Sequence, residues 1–130
     1  MAFFHLSSTC ILEVILAASS CRTSITDAVQ NASSNNVAAI LPDVCVINAT
    51  KMVIGGNAHA TGVITVHGNL TSLGGDTTAA LSSISLTPEP APGTALVGAA
   101  DGQKQISSWK CGPATATPLP RKYLPGSCQD

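Results

Sequence analysis

Five cysteines carry most of the chemistry that this 130-residue sequence offers: Cys10, Cys21, Cys45, Cys111 and Cys128. Zinc sites in proteins usually contain close pairs such as Cys-x-x-Cys, and here all five cysteines are far apart in sequence. The three histidines show no ligand spacing with them: His5, His59 and His67. We therefore expect no metal site. Five cysteines in a chain of this kind favour an oxidising compartment and disulfides, with one thiol left over.

No catalytic motif is present. The many serines lack a Gly-x-Ser-x-Gly elbow. The glycine pairs at 55–56 and 74–75 have neither the spacing of a phosphate loop nor a following helix. His67 has no acidic residue near it in sequence and is expected to face solvent. We predict that the protein is not an enzyme and has no cofactor.

The last cysteine pair encloses a stiff loop. Cys111 ends the run Trp109-Lys110-Cys111, and sixteen residues separate it from Cys128. Four prolines and two glycines restrain the backbone between them. A disulfide around a loop of this size would contribute about 3 kcal/mol in the chain-entropy model. It would also hold the end of the chain against the last strand.

The composition is unusual for a soluble domain. Charged residues make up 10 % of the sequence, against roughly 25 % in an ordinary domain. The net charge of −1 neither attracts nor excludes nucleic acid. Four basic residues could still gather near the loop and contact phosphates: Lys104, Lys110, Arg121 and Lys122.

The amino-terminal part reads as one amphipathic helix over residues 11–30. Its apolar residues recur at the i, i+3, i+4, i+7 spacing of a single buried stripe. Twenty residues would form a rod about 30 Å long, and the polar stretch 31–36 should end it. Residues 1–10 are expected to be an added or frayed leader. No segment approaches the ~20 apolar residues of a membrane-spanning helix.

Four strands are predicted after the helix, at residues 50–54, 62–68, 81–87 and 105–111. Residues 55–57 are expected to form a loose hairpin loop, and 94–97 could add a minor strand. In the third strand Ile84 and Leu86 share one face and the serines the other, as in an antiparallel sheet with one wet face. The prediction is an α+β fold, in which a long helix packs on a four-stranded antiparallel sheet, with residues 11–130 as one domain.

These features together resemble a type IV pilin of Pseudomonas and related Gram-negative bacteria. The strand ending in Trp109-Lys110-Cys111, the sequence KYLPGSC at 122–128 and the stretch LAASSCRT at 16–23 are similar to the corresponding parts of that family. The resemblance covers roughly residues 11–130. It implies a structural subunit of an extracellular pilus fibre, held in the inner membrane before assembly, that serves surface adhesion and twitching motility.

The sequence departs from the family at its start. Pilins begin with a hydrophobic helix, of the kind Phe-Thr-Leu-Ile-Glu, that anchors the subunit in the membrane and later packs the fibre core. Residues 1–10 do not resemble it. We therefore expect a head domain that is a soluble monomer as given, although the full-length protein would polymerise with other pilin subunits.

A minor or competence-type pilin that binds DNA for uptake is the alternative function. The contacts would come from the four basic residues near the loop. A steep dependence of DNA affinity on salt would favour this interpretation.

A second disulfide is expected between Cys21 and Cys45. Cys21 lies on the buried stripe of the helix, and Cys45 lies between two valines in the segment that returns across the helix. This pairing leaves Cys10 as the odd thiol. The alternative is a bond between Cys10 and Cys45, with Cys21 buried and free.

The loop at 112–127 is expected to be the main binding surface, for host-cell glycans or abiotic surfaces. Tyr123 could offer an apolar platform to a sugar or could pack under the loop. The residues expected to take part are Gly112, Pro113, Thr115, Thr117, Pro120, Lys122, Tyr123 and Pro125.

Overall fold

The protein is a two-layer α+β domain in a computed structural model that describes residues 8–69, 83–119 and 121–129. Two α-helices come first, α1 (Ser8–Ser19) and α2 (Arg22–Gln30). Five strands follow in the described parts: β1 (Val46–Ile47), β2 (Val53–Ala58), β3 (Ile64–Gly68), β4 (Ser83–Glu89) and β5 (Ser108–Pro113). Single 3-10 turns lie at Leu41–Asp43, Arg121–Tyr123 and Gly126–Cys128. Most of the expected leader, residues 1–7, lies outside the described residues.

The helical part is interrupted at residues 20–21, where an unbroken helix was predicted. The Ser20 hydroxyl donates to the carbonyl O of Ala17 at 2.6 Å, and the Cys21 N–H bonds three residues back to Ala18 at 3.2 Å. A hydrogen bond from a side-chain hydroxyl to a carbonyl group of the preceding turn competes with the regular backbone hydrogen bonds of the α-helix and tightens the turn. The helix also begins at Ser8, three residues earlier than expected, whereas its end at Gln30 agrees with the prediction.

The sheet is an antiparallel meander in the order β1-β2-β3-β4-β5. The α+β architecture is therefore confirmed, but the expected number of four strands is wrong. The additional strand is β1, which pairs with β2 through only two residues, Val46 opposite Asn57 and Ile47 opposite Gly56. A pairing this short leaves no recognisable alternation in the sequence.

The first predicted hairpin is displaced along the chain. Gly55, Gly56 and Asn57 lie inside β2, and the turn to β3 is formed instead around His59 and Gly62. The Gly62 N–H donates to the His59 carbonyl O at 2.8 Å, and Gly62 has a φ of 80°, which glycine adopts readily.

The glycine pair is tolerated in β2 because the neighbouring strand comes very close. A Cβ atom at Gly56 would overlap the carbonyl O of Thr65 and crowd the Cα of Val66 on β3. Glycine inside a strand often marks such a close approach of two backbones. The residue type that suggested a turn is therefore required by strand packing.

One face of the sheet is buried against α1, which contacts β2, β3 and β4. The side chains between the two layers are almost completely buried aliphatics. They include Val14, Ile25, Val53, Ile64, Val66, Ile84 and Leu86. The opposite face carries polar side chains of intermediate exposure, such as Thr65, Ser85 and Thr87. The predicted alternation in β3 and β4 thus produces one buried and one wet face.

The connection between β4 and β5 closes the end of α2. The Gln103 N–H donates to the Val29 carbonyl O at 2.7 Å, and its side-chain amide donates to Ala32 at 3.2 Å. These bonds satisfy carbonyl groups that a helix end leaves free. Residues 94–97 form only a single bridge, Ala91 with Thr94, in place of the suggested minor strand.

We expect Gly56→Ala to destabilise the domain by about 1–3 kcal/mol, the usual cost of overpacking a tight site. The added methyl group must push β2 away from the backbone of β3. Chemical denaturation followed by circular dichroism measures the change. Gly126→Ala is the matched control, because a Cβ there meets no atom within 4 Å. Equal stability of the two variants would contradict the close approach.

Candidate binding surface

The carboxy-terminal loop is closed by a disulfide between Cys111 on β5 and Cys128 in the last 3-10 turn. Their Cα atoms are 4.4 Å apart, and both side chains are buried. This is the loop that the sequence singled out. Its course differs from the expectation, because β5 continues past Cys111 to Pro113 and makes the first residues part of the sheet.

A buried serine fastens the first half of this loop to the sheet. Ser83 begins β4 and is 0 % exposed. Its carbonyl O accepts hydrogen bonds from the N–H groups of Ala114 at 3.1 Å and Leu119 at 2.8 Å. Its own N–H donates to the Thr117 carbonyl O at 2.8 Å. The loop segment 114–119 therefore lies across the start of β4.

The Ser83 hydroxyl extends this attachment to a third element. It lies 2.5 Å from Nδ1 of His67 on β3 and accepts a hydrogen bond from the Thr117 hydroxyl at 2.9 Å. We call these bonds among Ser83, His67, Thr117, Ala114 and Leu119 the Ser83 clamp. The prediction that the serines of this strand face solvent is wrong for Ser83, because the loop covers it.

Thr117 shows how firmly the clamp holds. Its φ is 52°, a left-handed conformation that is rare for β-branched residues. Such a residue costs on the order of 1–3 kcal/mol and persists only where its surroundings fix it. Here the Ser83 backbone and hydroxyl supply that constraint from β4.

The second half of the loop is held by Gln129 in addition to the disulfide. The side-chain amide of Gln129 donates to the carbonyl O atoms of Leu124 at 2.7 Å and Arg121 at 3.1 Å. In return, Nε of Arg121 donates to the Gln129 carbonyl O at 3.0 Å. The two halves are thus restrained by different groups, the first by Ser83 and the second by Gln129 and Cys128.

Few of the predicted loop residues are fully exposed. Thr115, Lys122 and Pro125 are exposed, whereas Gly112 is buried within β5. Pro113 and Thr117 are half-buried, and Pro120 lies outside the described residues. The exposed positions are therefore separated along the loop by buried anchors, namely Ala114, Leu119 and Leu124.

Tyr123 packs at the edge of the core. With Ile11, Leu12, Leu124 and Pro125 it lines an apolar hollow of about 380 Å³ beside the start of α1. The Lys122 ammonium lies 5.2 Å from the centroid of the Tyr123 ring, within the range of a cation–π contact. The ring is thus shared between the loop and the helix.

The other disulfide joins the helix break to the returning segment. Cys21 is bonded to Cys45 with a Cα–Cα distance of 5.7 Å, so the structure contains the favoured pairing and not the alternative with Cys10. Cys21 is fully buried. The bond fixes the chain at the point where α1 gives way to α2.

Comparison with known proteins gives a consistent result. The family model described as pilin (bacterial filament) matches residues 10–129. The chain belongs to the pilin family. No protein of curated function matches it. Its fold is similar to the crystal structure of a type IV pilin from Pseudomonas aeruginosa strain Pa110594, with a TM-score of 0.73 and 19 % identity over 96 % of this chain and 99 % of that one.

The expected resemblance to type IV pilins is therefore confirmed, and with it the helix-on-sheet fold. Members of this family are structural subunits of bacterial filaments. Among the residues that the structure describes, no helix has the length and apolar character needed to cross a bilayer.

His67 and Ser83 do not form a nucleophilic pair that a substrate could reach. A serine nucleophile must be open to the group that it attacks, and Ser83 is completely buried. The contact between them attaches the loop. His67 was expected to face solvent, and it is half-buried in the pilin.

The four basic residues lie in three separate parts of the pilin. The Lys104 ammonium is 2.9 Å from the Asp101 carboxylate, in the segment beside the end of α2. Lys110 lies on β5, and Arg121 and Lys122 lie in the 3-10 turn of the loop. Arg121 already donates to Gln129. The last two are adjacent in sequence.

An exposed apolar stripe runs along α1 on the side away from the sheet. Leu12 and Leu16 are one helical turn apart and are 58 % and 69 % exposed. The stripe adjoins the hollow formed with Tyr123 and Pro125. Contiguous apolar patches often mark interaction surfaces, so this stripe is a candidate for one.

Asp101 should make the stability of this pilin depend on acid pH. The hydrogen bond from Lys104, and then the bond from the Val97 N–H at 2.7 Å, hold the pKa of Asp101 below its usual value. A lowered pKa in the folded state adds stability that is fully present above about pH 4, the ordinary aspartate value. That stability is lost as the pH falls through the folded-state pKa.

We therefore expect Asp101→Asn to be less stable than the parent at pH 6, with the difference shrinking below about pH 4. Thermal unfolding between pH 2 and pH 6 measures this. Asp27→Asn is the control, since Asp27 is exposed and has no hydrogen bond or ion pair from its side chain in the described structure. A stability difference between Asp101→Asn and the parent that does not change with pH would contradict a lowered pKa of Asp101.

Proposed function

We propose that this pilin is a pilus subunit that serves surface attachment and twitching motility. The observation that carries the proposal is the placement of two distinct exposed features on one small fold. An apolar stripe on α1 is suited to burial against other subunits, and a restrained loop offers exposed groups to a surface. On this proposal the fibre lies outside the cell, and the subunit is held in the inner membrane before assembly.

The apolar stripe supports assembly. Leu12 and Leu16 leave about half or more of their surface in water, and covering apolar area is favourable by roughly 25 cal/mol per Å². If a different surface of the next subunit covers the stripe, the contact is heterologous and can repeat without closing. Repetition of that kind produces a filament.

The loop supports attachment. Its exposed positions, Thr115, Lys122 and Pro125, are held by the Ser83 clamp, the disulfide and Gln129 before any ligand binds. A surface that is already ordered loses less entropy on binding. Host-cell glycans and abiotic surfaces remain the proposed partners. DNA uptake has weaker support, because Lys104 is paired with Asp101 and Arg121 already donates to Gln129.

We expect Leu12→Ser combined with Leu16→Ser to abolish or strongly reduce surface fibres. Both side chains are mostly exposed, so the folded subunit should keep nearly its full stability while losing the apolar contact. Electron microscopy of the bacterium that encodes the protein, with the variant replacing the parent gene, counts the fibres.

The oligomeric state of the 130-residue chain is a separate prediction. Sedimentation of the purified chain tests whether it is a monomer, as we expect.

Val97→Ser is the matched control for this experiment. Val97 is 53 % exposed and lies in the connection between β4 and β5, away from the stripe. Its substitution should leave fibre number unchanged. Normal fibres from the Leu12 and Leu16 double variant, with a normal protein level, would rule out the stripe as the assembly surface.

We expect the double variant Cys111→Ser, Cys128→Ser to stay folded and to attach less well. Loss of the bond should cost about 3 kcal/mol and free the second half of the loop. The Ser83 clamp should keep the first half in place. Amide hydrogen exchange should therefore speed up at Leu124 and at position 128 but not at Ala114 and Leu119. Adhesion of cells bearing the variant should fall.

The control is Cys21→Ser with Cys45→Ser, which removes a disulfide far from the loop. It should lower stability without a matching loss of adhesion per fibre. If the Cys111 and Cys128 variant forms normal fibres that adhere as well as the parent, the second half of the loop does not carry attachment.

A further inference from the structure

The polar face of the sheet contains a broad hollow. It has a volume of about 630 Å³, within the ~300–1,000 Å³ typical of ligand sites. Its floor is formed by β2, β3 and β4, and its wall by residues 114–116 of the loop. We call it the outer groove, lined by Asn57, His59, Ala60, Thr61, Val63, Thr65, His67, Ser85, Thr87, Ala114, Thr115 and Ala116.

Strand register explains why these groups converge. Asn57, Thr65 and Ser85 are consecutive partners across β2, β3 and β4, so their side chains form one row on the same face. The next residue in that row, on β5, is Gly112. Glycine adds no side chain, so the row of side chains ends at β4, next to residues 114–116 that form the wall.

Some of the hydrogen-bonding groups in the groove are not already paired. The hydroxyls of Ser85 and Thr87 have no hydrogen-bond partner within the described part of the chain. Thr65 is oriented by Nε2 of His59, 2.9 Å from its hydroxyl. Hydroxyl and imidazole groups both donate and accept, and the side chain of Asn57 does so as well.

Charge decides which ligands suit the groove. None of its twelve lining residues is Asp, Glu, Lys or Arg, so no side chain there carries a permanent charge that would balance a phosphate, a sulfate or a carboxylate. An uncharged, hydroxyl-rich ligand can form hydrogen bonds with such a lining without burying an unpaired charge. Val63 and Ala114 add small apolar areas for the C–H face of a sugar ring.

The groove also points away from the surface proposed for assembly. The sheet separates it from α1, because α1 packs on the opposite face of β2, β3 and β4. Subunits whose Leu12 and Leu16 pack against a surface other than the groove would leave the groove uncovered. A ligand could therefore bind to the fibre as well as to the free subunit.

We propose that the outer groove binds an uncharged carbohydrate, and that it is a second recognition surface separate from the second half of the loop. This inference depends on the proposed role as a fibre subunit only for what the binding would be used for in the cell. Binding itself is a property of the folded chain and can be measured without fibres.

Nuclear magnetic resonance titration of the isotope-labelled chain tests the proposal directly. The probes are three neutral tetrasaccharides, lacto-N-tetraose, maltotetraose and cellotetraose, with sialylated lacto-N-tetraose as the charged comparison. We expect at least one neutral sugar to shift the amide signals of Thr65, Ser85, Thr87 and Thr115 in a saturable way. Sialylation should weaken that binding if the acid must enter the groove.

The variant Ser85→Ala with Thr87→Val removes two unpaired hydroxyls with little change in shape. We expect its affinity for the sugar to fall about tenfold or more, from the loss of two hydrogen bonds. Thr94→Val makes the same chemical change at an exposed residue outside the groove and should bind like the parent. Thermal unfolding checks that both variants remain folded.

The disulfide variant separates this proposal from the previous one. Sugar binding in the groove should survive Cys111→Ser with Cys128→Ser, because the Ser83 clamp still holds residues 114–119. If none of the neutral sugars shifts the groove signals at millimolar concentration, or if the shifts map to residues 121–128, the groove proposal is overturned. Either result leaves the assembly role of the α1 stripe as it stands.

Discussion

A single buried serine determines how the carboxy-terminal third of this pilin is arranged. Ser83 cannot be left unpaired, since a buried polar group without partners costs several kcal/mol in an apolar setting. Its backbone and hydroxyl are satisfied by His67 on β3 and by three residues of the loop. The requirement for partners therefore brings the loop onto the sheet, and Thr117 accepts a left-handed conformation to meet it.

The helix-on-sheet fold separates two kinds of surface. The stripe of α1 with Leu12 and Leu16 is apolar and lies on one side of the molecule. The outer groove is polar and uncharged and lies on the other. Because α1 packs on the buried face of β2, β3 and β4, the sheet lies between the two surfaces. A subunit of a fibre benefits from this separation, since packing and recognition then make independent demands on the sequence.

Local patterns predicted the parts of the fold in which periodicity and burial agree. Three features were evident in the sequence: the buried apolar face of α1 and α2, the alternation of Ile64 and Val66, and the loop between Cys111 and Cys128. Gly56 was assigned to a turn from its residue type alone. Its place in a strand is explained by the close approach to Thr65 on β3, and that contact exists only once the two strands pair in the sheet. The role of Ser83 was equally hidden, because its partners lie 16 to 36 residues away. Contacts of that separation leave no periodic signal in a single sequence.

The loop shows why two restraints of different chemistry are used. A disulfide limits the distance between two points of the chain, but it does not fix the conformation of the residues between them. The Ser83 clamp holds Ala114, Thr117 and Leu119 through backbone hydrogen bonds to Ser83, and no cysteine takes part in these bonds. Gln129 does the same for residues 121–124, yet it lies beyond Cys128 and depends on that cysteine to hold it in place. The first half of the loop is therefore joined to the sheet by hydrogen bonds of its own, whereas we expect the order of the second half to depend on the disulfide.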